Sequence, residues 1–226
     1  MKNLGVVQII IQPELIFSLF IMMGLSMGFI YVGKKISAAD PTQKPKGIIL
    51  VCETGVRMLT TYMNSIMPSN FESNYYPYFI MMFVYILVSN ISGLFAFQSP
   101  TSNFSITLSI TLITFTLIQF NAIRKKGGVR YIKDIIWPPT NILGTISPLI
   151  SLSMRIFGNV LSGSILMSLV YELTAWLSNL LVPVPIDFLG PFLGGILHFY
   201  FDVFTGFIQA LVFITLSSIL IALEAE

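Results

Sequence analysis

Apolar residues run along this chain in long blocks, with no alternating pattern. Residues 15–32 (LIFSLFIMMGLSMGFIYV), 78–97 and 104–123 carry no charged side chain. Each is close to the ~20 residues that a helix needs to cross a hydrocarbon core of ~30 Å. Two later blocks are longer. Residues 149–182 contain no proline, and at 1.5 Å per residue a helix of that length reaches about 50 Å. Residues 192–223 give a similar length. Both exceed the core, so both are expected to tilt strongly or to lie partly along the membrane. The stretch VPVPID (182–187) between them predicts a tight turn, and the two blocks together predict a long inclined hairpin.

Residues 48–67 (IILVCETGVRMLTTYMNSIM) differ in kind. Glu53 and Arg57 stand four apart among several threonines, a spacing that pairs them on one helical face. An amphipathic helix lying at the interface fits better than a span. The predicted fold is therefore all-α and polytopic, with about five membrane-embedded helices plus this interfacial one. We expect a single membrane domain over 1–226. Residues 1–134 supply the spanning and interfacial helices, and residues 135–226 the inclined hairpin that carries an ion path.

Charge orients the chain. Residues 34–46 hold four lysines against one aspartate, and residues 124–134 hold five basic residues against one aspartate. Basic loops stay on the cytoplasmic side, which places the N-terminus and VPVPID outside and the acidic tail inside. Lys34 and Lys35 follow the first block directly, which favours a retained helix over a cleaved leader. Composition agrees: 55% of residues are hydrophobic and only 10% charged, with mean hydropathy +0.85, against about a quarter charged in soluble domains. The one cysteine, Cys52, precludes an internal disulfide and a cysteine metal cluster. A net charge of +2 gives no reason to expect a nucleic-acid partner, and no motif calls for a cofactor or a bound nucleotide.

Against this apolar background Arg155 stands out, because no other Lys or Arg follows Lys133. A guanidinium in a membrane costs from ~3 to more than ~10 kcal/mol, and intramembrane charges mark ion pathways. It cannot escape by losing its proton. Gly144, Ser147, Ser151, Gly158 and Ser162 recur with Arg155 at steps of three and four, forming a small-residue face suited to close approach by another helix. Asn159 lies one turn away. The last block carries its own stripe of His198, Asp202, Thr205 and Gln209. If the hairpin folds about 182–183, Arg155 faces Gln209, Ser164 faces Asp202 and Ser168 faces His198, with Glu172 nearer the outer turn. Asp and His can exchange protons near neutral pH, so the line reads as titratable groups ending at a fixed positive barrier. Blander readings compete: Arg155 and Asp202 as a structural ion pair, His198 as a packed hydrogen-bonded residue, and Glu172 as an interfacial carboxylate.

Several stretches resemble one family. SLSMRIFGN (151–159) is similar to the S-L-x-x-R-L-x-x-N signature of subunit a of the F-type ATP synthases. Residues 89–115 resemble that family's Asn–Gly-Leu and Pro-Thr-x-Asn segment, and GFIQALVF (206–213) its Gln-Ala-x-Val/Ile-Phe motif. PPTNILGTISPLISL fits the approach to the arginine helix, and the resemblance spans roughly residues 8–224. It implies a non-catalytic stator subunit with two half-channels against a ring of c-type proteolipids, bound also to peripheral-stalk subunit b. The ion is expected to be a proton, the site a bacterial plasma membrane, with a mitochondrial inner membrane as the alternative. Arg155 then matches the essential arginine, Asn159 and Gln209 its polar neighbours, and Asp202 a position that holds His or Glu in relatives. Ser164 departs from the family, which often has Glu or His there, so His198 or Glu172 would complete the relay. An acidic residue common before the arginine helix is also missing near Gly144 and Thr145. A secondary ion transporter with an intramembrane Arg155/Asp202 site is the competing function, and no inverted repeat supports it.

Overall fold

The computed structural model describes residues 12–39, 44–66, 75–95, 97, 99–138, 140–181, 187 and 189–223, and every regular element among them is helical. Five helices are long and apolar enough to cross a membrane, as the block pattern predicts. Helix α1 (Pro13–Ser37) opens on a proline whose missing N–H would have had no helical partner. Glu14 in its first turn and Lys34 and Lys35 in its last suit the helix dipole. Helix α2 (Ile48–Ile66) is not among the five, and Arg57 donates to Glu53 at 2.6 Å along its exposed side. Helix α3 (Tyr76–Ile91) runs into a 3-10 turn at Ser92–Phe95. A second such turn, Pro100–Ser102, leads into α4 (Phe104–Lys126).

The Asn103 carboxamide caps α4 by accepting from the Ser105 amide at 2.9 Å, satisfying one of the orphan donors of a helix start. At its other end Gly127, with φ of 79°, stops α4 after Arg124, Lys125 and Lys126. The chain then resumes as a short helix, α5 (Gly128–Ile136). The sequence reading had a basic loop here, because two glycines and five cations masked the apolar positions between them. Only Gly127 is needed for the turn.

Helix α6 (Thr140–Leu181) has 42 residues and runs straight through Pro148, beginning earlier than the proline-free block suggested. The hydrogen bond that Pro148 forfeits belongs to the carbonyl of Gly144, four residues back, and α6 continues as helix on both sides of it. A helix of this length is about 63 Å long, twice the hydrocarbon core, and it cannot stand upright within it. The return limb is α7 (Leu189–His198), a π-helical segment (Phe199–Thr205) and α8 (Gly206–Leu223). Most of the predicted VPVPID turn lies outside the described residues.

The core is built where α3 packs along α8 and α4 along α6. Phe79, Phe83 and Ile86 meet Ala210, Phe213, Ile214 and Ile221, all buried. Thr107, Thr111 and Thr114 of α4 are fully buried. Their hydroxyls turn back to main-chain carbonyls of their own helix, so small polar residues pack closely without orphaned groups. Helix α1 lies at the edge, with few buried residues. Alternation of the spans gathers the basic ends of α1 and α4 at one end of the bundle. The starts of α1 and α4 and the end of α3 share the other.

Asp187 closes the hairpin at that second end. Its carboxylate accepts from Thr174 Oγ1 at 3.0 Å, Ser178 Oγ at 3.1 Å and the Gly190 amide at 2.7 Å. Partial desolvation pushes its pKa up, but the bonds from Gly190, Thr174, Ser178 and Leu189 together hold it below the ordinary carboxylate value. A lowered pKa means the clasp stabilises the fold above the usual carboxylate range and loses that contribution as pH falls through the folded value. Asp187→Ala is expected to speed amide exchange in the first turn of α7 by roughly fivefold, as loss of a helix cap does. Hydrogen exchange read by mass spectrometry checks this, and acidification of the unmodified protein should produce the same local change.

A polar cavity leading toward Arg155

At the end of the bundle where α1 begins, a cavity of about 480 Å³ opens among α1, the turns after α3, α6 and the return limb. Its chemistry centres on three side chains. His198 Nδ1 stands 2.9 Å from Asp202 Oδ2, and His198 Nε2 stands 3.1 Å from the Tyr171 hydroxyl. With both ring nitrogens engaged, the imidazole joins a phenol to a carboxylate, an arrangement that can relay a proton. The i,i+4 spacing puts His198 and Asp202 on one face. Tyr171 comes from the opposite limb and was not singled out by sequence.

Close packing explains two glycines. A Cβ on Gly93 would stand 3.1 Å from the Asp202 carboxylate, so the turn after α3 forms the near wall behind that group. A Cβ on Gly194 would come within 2.6 Å of Tyr171 Oη, so only glycine lets the phenol cross the hairpin to reach His198. The contact of Gly163 with Phe201 sits at the predicted hairpin register. Ser164 and Asp202 line the one cavity, as do Ser168 and His198.

The remaining site residues divide. Asn159 lines the cavity. Ser164 does too, but its hydroxyl is spent on the carbonyls of Val160 and Leu161. Glu172 is exposed, does not line the cavity, and its side chain has no partner among the described residues. Thr205 and Gln209 do not line it either. The π-helical segment is the reason: Thr205 Oγ1 donates five residues back, to the Tyr200 carbonyl at 3.1 Å. The wider turn carries Thr205 and Gln209 off the His198–Asp202 face. Gln209 is instead buried between helices with Nε2 unpartnered.

Arg155 lies one helical turn beyond Asn159, outside the cavity. It is exposed, and its guanidinium makes no hydrogen bond or ion pair among the described residues. No bond joins it to Asp202 or Gln209, so a structural Arg155–Asp202 ion pair is absent from this fold. Gly144, Ser147, Ser151 and Ser162 around it are exposed as well. Nothing approaches within 4 Å of where side chains at Gly144 and Gly158 would stand. The small-residue face that should meet another protein is thus open in the isolated chain.

Residues missed by sequence include Asn90 and Glu14. Asn90 is buried in the cavity wall with Oδ1 accepting from Thr101 Oγ1 at 3.1 Å and Nδ2 unpartnered. Glu14 lines the cavity from α1. Neither stands on a periodic stripe with Arg155, and only tertiary contact reveals them.

Fold and site together define an all-α integral membrane protein with a cavity that holds titratable side chains and, one helical turn beyond its edge, an arginine with no ion-pair partner among the described residues. Comparison with known proteins narrows the class. The family described as ATP synthase A chain matches residues 16–222, and this chain belongs to that family. The chain is 30% identical to ATP synthase subunit a 2 of Chlorobaculum tepidum over 205 residues, covering 84% of this chain and 56% of that protein. It therefore spans little more than half of that relative. It is 31% identical to ATP synthase subunit a of Mycoplasmoides gallisepticum, covering 89% of this chain and 73% of that one. To the subunit a of Streptococcus agalactiae serotype III it is 31% identical over 78% of this chain and 77% of the other.

Proposed function

We propose that this chain is the ion-translocating stator subunit of a rotary F-type ATP synthase in a bacterial plasma membrane, and that the ion is a proton. One observation carries the reading: an unpaired Arg155 on an open small-residue face, one turn from Asn159 at the inner limit of a cavity holding Tyr171, His198 and Asp202. Such a face admits a moving helix, here that of a proteolipid ring with a membrane-embedded carboxylate. By the positive-inside rule the basic ends of α1 and α4 lie in the cytoplasm. The cavity then opens outward as the external half-channel, with the N-terminus outside and the C-terminus cytoplasmic. Protons enter through His198 and Asp202, neutralise the rotor carboxylate, and leave by a second half-channel after rotation. Arg155 separates the two routes because it is charged at every working pH. Residues 1–134 frame the channel and residues 135–226 carry it, with subunit b and the other synthase subunits as further partners.

Each proton crossing 100 mV yields ~2.3 kcal/mol, so several must pass for each ATP made elsewhere in the complex. Purification in mild detergent tests the reading. The chain is expected to bring down a ring of small proteolipids and to support ATP-driven acidification of inverted vesicles. Isolation as a lone protein that transports ions without any ring would overturn it.

A further inference from the structure

We propose that Glu14, at the start of α1, is the outermost proton-exchanging group of this path and hands protons to the His198–Asp202 pair. The inference rests on the translocation reading above. Glu14 is half-buried, lines the same cavity as His198 and Asp202, and its side chain has no hydrogen bond or ion pair among the described residues. Helix α1 is otherwise a loosely held peripheral span, yet its N-terminal end is tied down at three places. Asn103 Nδ2, at the start of α4, donates to Gln12 Oε1. Phe17 stacks on Phe97 at 4.9 Å between ring centroids, and Phe97 is itself a cavity wall. Ser18 Oγ lies 2.7 Å from Tyr85 Oη, buried against α3. These contacts hold Glu14 over the cavity.

Its neighbours support exchange. The titratable groups sharing the cavity are Tyr171 from α6, His198 from α7 and Asp202 from the π-helical segment, whereas α3 and the turns after it supply only neutral groups such as Asn90, Ser99 and Ser102. The cavity volume of about 480 Å³ leaves room for water to link carboxylates that do not touch. Ser164 cannot replace Glu14, because a serine hydroxyl does not ionise near neutral pH, and this one already donates to main-chain carbonyls of its own helix. Glu172 cannot either, since it is exposed and does not line the cavity.

The test uses the complete synthase in proteoliposomes, with ATP synthesis measured against outer-side pH at constant driving force. Glu14→Gln keeps the shape and removes the proton-binding site. It is expected to lower synthesis about a hundredfold, the low end of the ~10²–10⁴ that a positioned proton-transfer group supplies, and to remove one titration from the pH profile. Glu14→His is expected to move that titration toward neutral pH, and it carries the test alone if Glu14→Gln fails to assemble. Wild-type rates with an unchanged pH profile in the assembled variants would overturn the assignment of Glu14. If Asp202→Asn blocks synthesis while the Glu14 variants do not, only this inference falls. If Asp202→Asn is also silent, the translocation reading itself fails.

Discussion

Arg155→Ala is expected to abolish ATP-driven proton pumping and ATP synthesis while the complex still assembles. The residue makes no hydrogen bond or ion pair among the described residues: it is exposed and surrounded by small side chains. Its removal therefore takes away a charge rather than a structural tie. A charge pair 4 Å apart at an effective dielectric of about 20 is worth ~4 kcal/mol, so an ionised rotor carboxylate passing Arg155 is favoured about 10³-fold. Without the cation, the carboxylate has no reason to release its proton before passing, and protons can cross between the half-channels without turning the ring. Coupled activity should fall below about a hundredth of wild type, while passive proton leak through the membrane sector persists. Arg155→Lys should rescue little, because a compact ammonium lacks the planar guanidinium fork. Quinacrine-type fluorescence quenching in inverted vesicles, with complex content measured in parallel, decides the matter. Retained coupled pumping in Arg155→Ala would sink the stator reading.

The second large effect is expected at Asp202. Asp202→Asn preserves shape and can still bond His198, but it cannot bind and release a proton near neutral pH. If His198 and Asp202 form the relay, proton flux should drop by ~10²–10⁴, the range for loss of a positioned acid–base group, with normal complex content. If the pair only braces the return limb, flux should follow the amount of complex and no more. Asp202→Glu is expected to be poorly tolerated, because Gly93 already stands against the carboxylate and a longer side chain must displace that turn. His198→Gln and Tyr171→Phe provide graded comparisons, the first breaking the link at its centre and the second at its far end.

Much of the architecture was legible because a membrane restricts what an apolar block can be. The blocks at 15–32, 78–97 and 104–123 became α1, α3 and α4 with ends shifted by a few residues, since water-free surroundings leave a helix as the way to satisfy the backbone. The last two blocks became the two limbs of the hairpin. Errors arose where helical continuity was decided by something other than apolar length. Helix α5 hid among charges, and α6 continued through Pro148, at the loss of one main-chain hydrogen bond.

The same division runs through the site. Arg155, its small-residue face and the His198–Asp202 spacing are properties of single helices, so the order of residues alone determined them. The stripe onward to Gln209 assumed a constant helical period, and the π-helical segment Phe199–Thr205, which holds Asp202, broke it before Gln209. What Asp202 and His198 meet was decided only by the fold, which brought Gly93, Asn90, Tyr171 and Glu14 to one cavity from three distant stretches. Periodicity reports which side chains share a face. It says nothing of which face lies opposite, because that depends on packing among helices far apart in the chain, and the proton route runs between faces.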